Sequence, residues 1–295
     1  GIQGFEVLDI APIGYIKRIN DAIADFGITE LGFEEPFLTY AEYMDYEKNL
    51  NCTLVPRNAE INGFRGTKED WELELMRKAQ AITDKAFSEV IGRIKVGMTE
   101  LELQAELIYC LYKNGATGLA FDPIVVSGPN TSLPHGVAGE RVIREGDFIT
   151  MDYGASYMGY CSDMTRTVAV GHATEEMVKV YNTVLEAQLA GLAISKAGVP
   201  GAQIDAAARK VITDAGYGAY FGHGYGHSLG LEIHEAPNPN AKNPDPMPLG
   251  AVASAEPGIY LPGKFGVRIE DTCVYLEDGI EILTHSPKEL IVIPV

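Results

Sequence analysis

Four acidic residues in this chain lie where apolar ones would be expected. Asp152 sits in FITMDYGA and Asp163 in YCSDMTRTVAVG, both flanked by apolar and β-branched residues. Glu256 follows the apolar run AVASA and precedes Pro-Gly, and Glu270 lies in GVRIEDTCVYL. Strand interiors disfavour Asp and Glu, and a buried carboxylate is rare unless it is paired or bound to a cation. Two plainer arrangements stay open on these residues alone: aspartates hydrogen-bonded to turn amides, and an inward ion pair with Arg268. Four carboxylates with one imidazole make a two-metal site, because a carboxylate can bridge two cations and offset their repulsion. The chain has 6 histidines, and His223, His227 and His234 all fall in FGHGYGHSLGLEIHE, from Phe221 to Glu235. The interleaved Gly222, Gly224, Gly226 and Gly230 carry no side chain to obstruct a close approach. His234-Glu235 is not followed by a second histidine three positions on, so an H-E-x-x-H zinc site is excluded.

The positioning elements follow from patterning. Phe148 to Gly171 reads as a β-hairpin with its turn near Tyr157–Gly159. Upstream, Gly14 to Phe26 reads as an amphipathic helix, LGFEE as a short strand, Thr39 to Leu50 as a helix and CTLVP as another strand. That is a small α/β unit, residues 1–66, with a boundary near Gly66. Thr67 with Asp70 resembles a capping box opening a helix that runs to Ile94. Trp71, Leu75, Ala79, Ile82, Ala86 and Val90 recur along it at helical spacing. Residues 67–295 then repeat one theme. KVGMTELELQAELIYCLYKNGA from Lys95 and KAGVPGAQIDAAARKVITDAGY from Lys196 each lead from Lys-x-Gly into an amphipathic helix ending at Gly115 or Gly216. Each follows a longer helix and precedes a glycine-rich segment with histidine, SGPNTSLPHG or FGHGYGHSLG. Such a recurrence predicts two halves about a pseudo-twofold axis with a site between them.

Composition narrows the class. The formal net charge is −18 and 46% of the 295 residues are hydrophobic. Nucleic acid and anionic membranes need a positive patch, so neither is an expected partner. Cys52, Cys110, Cys161 and Cys273 are widely spaced with no C-x-x-C, which predicts free thiols in a reducing, cytoplasmic setting. No run approaches ~18 apolar residues, so no membrane span is expected, and GIQGFEVLDIAPIGY has neither the basic nor the apolar region of a signal peptide.

MDYGA, YCSDMTRT, GHSLGLEIHE, AEPGIY and GVRIED, in that order, resemble the pita-bread metallopeptidases, which include methionine aminopeptidase, aminopeptidase P and proline dipeptidase. The resemblance covers Thr67 to the C-terminus, and Gly1–Gly66 more weakly. It implies an α+β pita-bread catalytic domain with pseudo-twofold halves, preceded by a small, truncated α/β domain. It implies five metal ligands: Asp163 and Glu270 bridging two ions, Asp152 on one, His227 and Glu256 on the other. His234 matches the substrate-facing histidine, His223 an outer histidine and His135 one on the opposite wall, while His172 and His285 match nothing and are expected at the surface. Arg268, two before Glu270, resembles the proline-directed members. The implied reaction is hydrolysis of the bond before proline in short peptides, as an Xaa-Pro aminopeptidase or dipeptidase, in a homodimer. Glu256 would shuttle the water proton, His234 and His135 would stabilise the oxyanion, and Arg268 would hold substrate, relay protons or pair with a ligand carboxylate. Carboxylate-rich ligation makes Mn²⁺ the natural ion, with Co²⁺ or Zn²⁺ as alternatives. The alternative functions are a methionine aminopeptidase-like enzyme and a pita-bread protein that binds without catalysis.

Overall fold

The computed structural model describes Gly4 and residues 6–295, so the reading of residues 1–3 and 5 at the amino terminus lies outside it. Contacts divide the chain into two compact units, the first ending at Phe64 and the second running Arg65–Val295. The first contains α1 (Gly14–Phe26), β1 (Glu30–Phe33), α2 (Tyr40–Asn49) and β2 (Thr53–Pro56), and α3 (Asn58–Arg65) follows. Gly27, at φ 64°, ends α1 in the left-handed conformation that glycine adopts without strain. Thr39 and Glu42 cap α2 reciprocally, with the Thr39 amide donating to the Glu42 carboxylate at 2.9 Å. Strands β1 and β2 pair in parallel, which requires the crossover that α2 supplies.

The second unit is built from two helix pairs and two broken hairpins. Helices α4 (Asp70–Val90) and α5 (Glu100–Lys113) pack on each other, then come β3 (Gly118–Leu119), β4 (Ile124–Ser127), β5 (Phe148–Tyr153), β6 (Ala155–Tyr157), β7 (Tyr160–Cys161) and β8 (Met164–Val170). Helices α6 (Glu175–Ile194) and α7 (Gly201–Asp214) pack likewise, followed by β9 (Val252–Ala255), β10 (Gly258–Leu261), β11 (Phe265–Arg268), β12 (Asp271–Leu276), β13 (Gly279–Ile282) and β14 (Val292–Ile293). Val90, Leu103, Leu107, Val125, Ile149 and Met151 join α4 and α5 to the first strand group in one apolar core. Val184, Ile204, Ile212, Ala253 and Val267 join α6 and α7 to the second.

Three local expectations are corrected. The cap of α4 is Glu69 and not Thr67: the Glu69 amide donates to Glu72 at 2.7 Å, while the Lys68 amide is already committed to the Gly250 carbonyl. Trp71 is exposed, its indole N–H donating to Glu69, and Leu73 and Met76 take the buried stripe in its place. The Phe148–Gly171 hairpin is not one continuous ribbon. Its inner arms β5 and β8 pair in a four-stranded sheet ordered β14-β8-β5-β4, whereas its outer arms β6 and β7 join β3 in another sheet. The break falls at Gly154, where a Cβ would lie 1.8 Å from the Ser162 carbonyl oxygen. The second hairpin breaks the same way: β9 and β12 pair in a sheet with β13, and β10 and β11 pair separately.

Candidate metal centre

Asp163 occupies the break between β7 and β8, Glu256 the break between β9 and β10, and Glu270 the break between β11 and β12. Asp152 alone lies within a strand, β5, opposite Thr165. A break of this kind releases a side chain from the regular alternation and turns it toward a shared point. All nine sequence-predicted residues line a single cavity of about 320 Å³: His135, Asp152, Asp163, His223, His227, His234, Glu256, Arg268 and Glu270. His172 and His285 are exposed away from it.

His227 does not sit on a strand. Residues 221–238 are irregular, tied by single bridges from Ser228 to Glu235 and to Ala253. That bend resolves the odd spacing of His227 and His234, which in a regular strand would face opposite ways. Their rings lie 4.3 Å apart. The His227 amide donates to Ser254 Oγ at 3.0 Å, and its Nδ1 faces the Ser228 carbonyl at 3.2 Å. Nε2 is thereby aimed at Asp163 Oδ2, 3.4 Å away, and Glu256 Oε1, 3.3 Å away. Asp163, His227 and Glu270 offer donor atoms that all lie within 4.8 Å of one another. Gly226 makes this approach: a Cβ there would lie 2.0 Å from the Ser254 carbonyl oxygen. Gly226→Ala is expected to cost at least ~2 kcal/mol, as overpacking against backbone does, and to weaken metal uptake, checked by urea denaturation and metal titration.

Arg268 is the ion-pair partner of Asp152, Nη2 donating to Oδ2 at 2.5 Å. Its Nη1 donates to Tyr260 Oη at 2.8 Å and its Nε to Thr165 Oγ1 at 3.0 Å. Tyr260 Oη lies 2.8 Å from His223 Nε2, and His223 Nδ1 faces the Gly224 carbonyl at 2.9 Å. A carbonyl only accepts, so Nδ1 carries the proton and Nε2 accepts from Tyr260. Burial holds His223 below its ordinary pKa, in keeping with a neutral ring. His234 and His135 are exposed at the rim, and burial followed by the nearby His227 lowers His234 as well.

The donor set fits divalent cations. Asp152 Oδ1, Asp163 Oδ1 and Glu270 Oε1 are buried without a hydrogen-bond partner among the described residues. A buried anion in that condition is costly unless a cation is supplied. Arg268 pairs with Asp152 and His227 faces Asp163 and Glu256, but among the described residues no cationic side chain pairs with Glu270. Desolvation, then repulsion from neighbouring carboxylates, raises Glu270 well above its ordinary value. Desolvation, opposed by the His227 hydrogen bond, pushes Asp163 up to about 7 from 3.8, and Asp152 is raised mainly by desolvation. Burial alone would lower His227, but Asp163 and Glu256 outweigh it and raise the ring to about 9 from 6.5. Glu256 ends below its ordinary value, because His227, His223 and Arg268 together overcome its desolvation.

These shifts carry a sign. Asp163 and His227 both bind their proton more tightly in the folded, metal-free chain than in the unfolded one. Their stabilisation is fully present below 3.8 and 6.5 respectively, and is lost as pH rises through about 7 and then about 9. The metal-stripped chain is therefore expected to melt at falling temperature across the window from about 4 to about 9. The metal-loaded chain gains over it as pH rises, because metal and proton compete for the same atoms. Melting scans with and without chelator check this, and a metal-free curve flat across that window would refute it.

A cavity walled by four carboxylates and an oriented imidazole, with two more histidines at its rim, has the donor set that a metallohydrolase needs. The chain belongs to metallopeptidase family M24, whose model matches residues 74–277, and its fold is the pita-bread fold of that family. The chain is similar to the solved Xaa-Pro dipeptidase from Bacillus anthracis, with TM-score 0.95 and 44% identity over 98% of this chain and 81% of that one. It is likewise similar to an X-Pro aminopeptidase from Thermotoga maritima, with TM-score 0.93 and 40% identity over 98% and 82% of the two chains. A Xaa-Pro dipeptidase from Pyrococcus horikoshii is 39% identical over 282 residues, 95% of this chain and 80% of that protein.

Sequence reasoning passed over several residues of the site. Thr165 donates to Glu270 Oε2 at 2.7 Å, Ser254 donates to Glu256 Oε1 at 2.9 Å, and Tyr260 joins Arg268 to His223. The period of two was the available signal, since Thr165 lies two after Asp163 and Ser254 two before Glu256. Tyr260 lies in the AEPGIY motif itself. Phe121 and Ile124 also line the cavity and stood in no motif singled out, while Asn238 and Asn240 line it from HEAPNPNAKNPDPMPLG, the segment from His234 whose loop would close the pocket past the proline.

Proposed function

We propose that this chain is a dinuclear-metal exopeptidase that hydrolyses the bond before proline in short Xaa-Pro peptides. The observation that carries the reading is the convergence of all nine residues on one cavity with three carboxylate oxygens buried and unpartnered. Relatives named as Xaa-Pro dipeptidases and an X-Pro aminopeptidase support the substrate class. Asp152, Asp163, His227, Glu256 and Glu270 would hold the ions. When bound there, divalent ions polarise the scissile carbonyl and lower the pKa of water toward neutrality. Glu256 accepts the water proton and returns it to the leaving proline nitrogen. His234 and His135, standing at the rim, donate to the carbonyl oxygen as it gains charge. Arg268 holds Asp152 in place and is itself held by Tyr260 and Thr165. Phe121, Ile124 and Pro134 offer the apolar surface that suits a proline ring.

Oxygen-rich ligation with one imidazole favours Mn²⁺. Four free cysteines, three of them buried, support a reducing, cytoplasmic setting, and among the described residues no helix is long and apolar enough to cross a membrane. The reading includes a homodimer, which sedimentation checks, and a short α/β domain through Gly66 ahead of the catalytic one. The division after Phe64 supports that boundary. The reading also includes pseudo-twofold halves. Helices α5 and α7 each span 14 residues, each is preceded by a positive-φ glycine, Gly97 or Gly198, and followed by another, Gly115 or Gly216. The two broken hairpins, each contributing two of the carboxylates, support the same relation. Elemental analysis together with cleavage assays on Xaa-Pro dipeptides and longer Xaa-Pro peptides tests the function. A metal-loaded chain that cleaves neither refutes it.

A further inference from the structure

Among the described residues none hydrogen-bonds to the His234 ring, yet its neighbour Glu235 is firmly held. Lys68 Nζ and Glu235 Oε2 are 2.8 Å apart, with side chains only 2% and 3% exposed. Lys68 Nζ also donates to the Arg65 carbonyl at 2.6 Å, and the Lys68 amide donates to Gly250 at 2.9 Å, so the cation is anchored at both ends. The other carboxylate oxygen, Oε1, accepts from the Glu232 amide at 3.1 Å, and the Glu235 amide donates to the Ser228 carbonyl at 2.7 Å. Within the same bend the Gly230 amide donates to the Glu232 carbonyl at 2.9 Å. Gly230 leaves room for the pair: a Cβ there would lie 2.7 Å from Glu235 Oε2 and 2.8 Å from Lys68 Cε.

A buried ion pair is a poor source of net stability but a good one of a fixed register, because its geometry has few alternatives. Here the register it fixes is the bend that turns His234 to the same side as His227. We propose that Lys68 and Glu235 are positioning residues for His234, acting through the bend and not on the metals or the substrate. This rests on the peptidase reading above.

The test neutralises the pair without leaving a lone buried charge, using Lys68→Met together with Glu235→Gln in the metal-loaded chain. The kcat on an Xaa-Pro peptide is expected to fall about ten-fold or more with KM and metal content near the parent's, since small misplacement of a donor is that expensive. In a His234→Ala background the same double change is expected to lower kcat no further, because the group it positions is gone. A crystal structure of the neutralised chain is expected to show the His234 ring displaced from its place 4.3 Å from His227. Unchanged kcat with the ring in place overturns the proposal, and so does an equal fold-loss in the His234→Ala background. A parent chain that cleaves no Xaa-Pro peptide counts against the peptidase reading alone, and the ring position then decides the positioning role.

Discussion

Glu270→Gln is expected to strip metal from the chain and reduce Xaa-Pro hydrolysis to background, while the metal-free protein melts no lower than its metal-free parent. Glu270 is 1% exposed, and its Oε1 is buried without a partner. Its carboxyl is held well above its ordinary value by desolvation and by Asp163, Glu256 and Asp152. In the metal-free fold an ionised Glu270 is therefore a liability, and a neutral amide of the same shape removes it. The amide oxygen can still accept from Thr165, which now donates to Oε2 at 2.7 Å. The amide nitrogen takes the unpartnered place and faces carboxylates, to which it can donate. A glutamine cannot bridge two cations as a carboxylate does, so affinity is lost where stability is not. Elemental analysis, kcat and melting in chelator separate the two effects. Metal retained at the parent's stoichiometry would remove Glu270 from the ligand set, and a large drop in the metal-free melting temperature would show that its role is structural.

The same contrast explains what the sequence disclosed and what it withheld. Asp152, Asp163, Glu256 and Glu270 announced themselves because an acid inside an apolar run contradicts its own local environment. Gly14–Phe26 was readable as a helix to the residue because a strong apolar period ends at a glycine. The hairpin breaks were not readable. At Gly154 and around Asp163 the local sequence still favours extended backbone, and only the close passage of Ser162 over Gly154 dictates the switch between sheets. Trp71 misled for a related reason. It lies on the apolar period of α4, but Leu73 and Met76 carry the buried face of that end of the helix, and a large ring with a polar N–H is satisfied at the surface. Thr165, Ser254 and Tyr260 were hidden by their ordinary chemistry. Hydroxyls are unremarkable in strands, and only their distances to Glu270, Glu256 and Arg268 give them a role.

His234→Ala is expected to keep the metals and lower kcat on an Xaa-Pro peptide by about 10²–10³, whereas His227→Ala loses metal directly. The two rings are neighbours, 4.3 Å apart, yet the proposed function gives them different duties. His227 is 16% exposed, its Nδ1 committed to a backbone carbonyl and its Nε2 within 3.4 Å of Asp163 and 3.3 Å of Glu256. That is the orientation of a ligand, with one nitrogen anchored and the other turned to the carboxylates. His234 instead stands exposed at the rim, with a lowered pKa that leaves it neutral near pH ~7, where it still offers one N–H. A neutral donor there can meet the carbonyl oxygen of a bound peptide as charge develops, without competing for the buried oxygens. Removing it costs an interaction made in the transition state, so kcat falls while KM changes less. Removing His227 exposes Asp163 and Glu256 to each other without the imidazole between them, and the metal-free chain should lose stability as well as metal. Metal content, kcat and KM for the two variants decide the assignment. Loss of metal from His234→Ala, or a normal kcat in a variant that keeps it, would show the roles to be assigned the wrong way round.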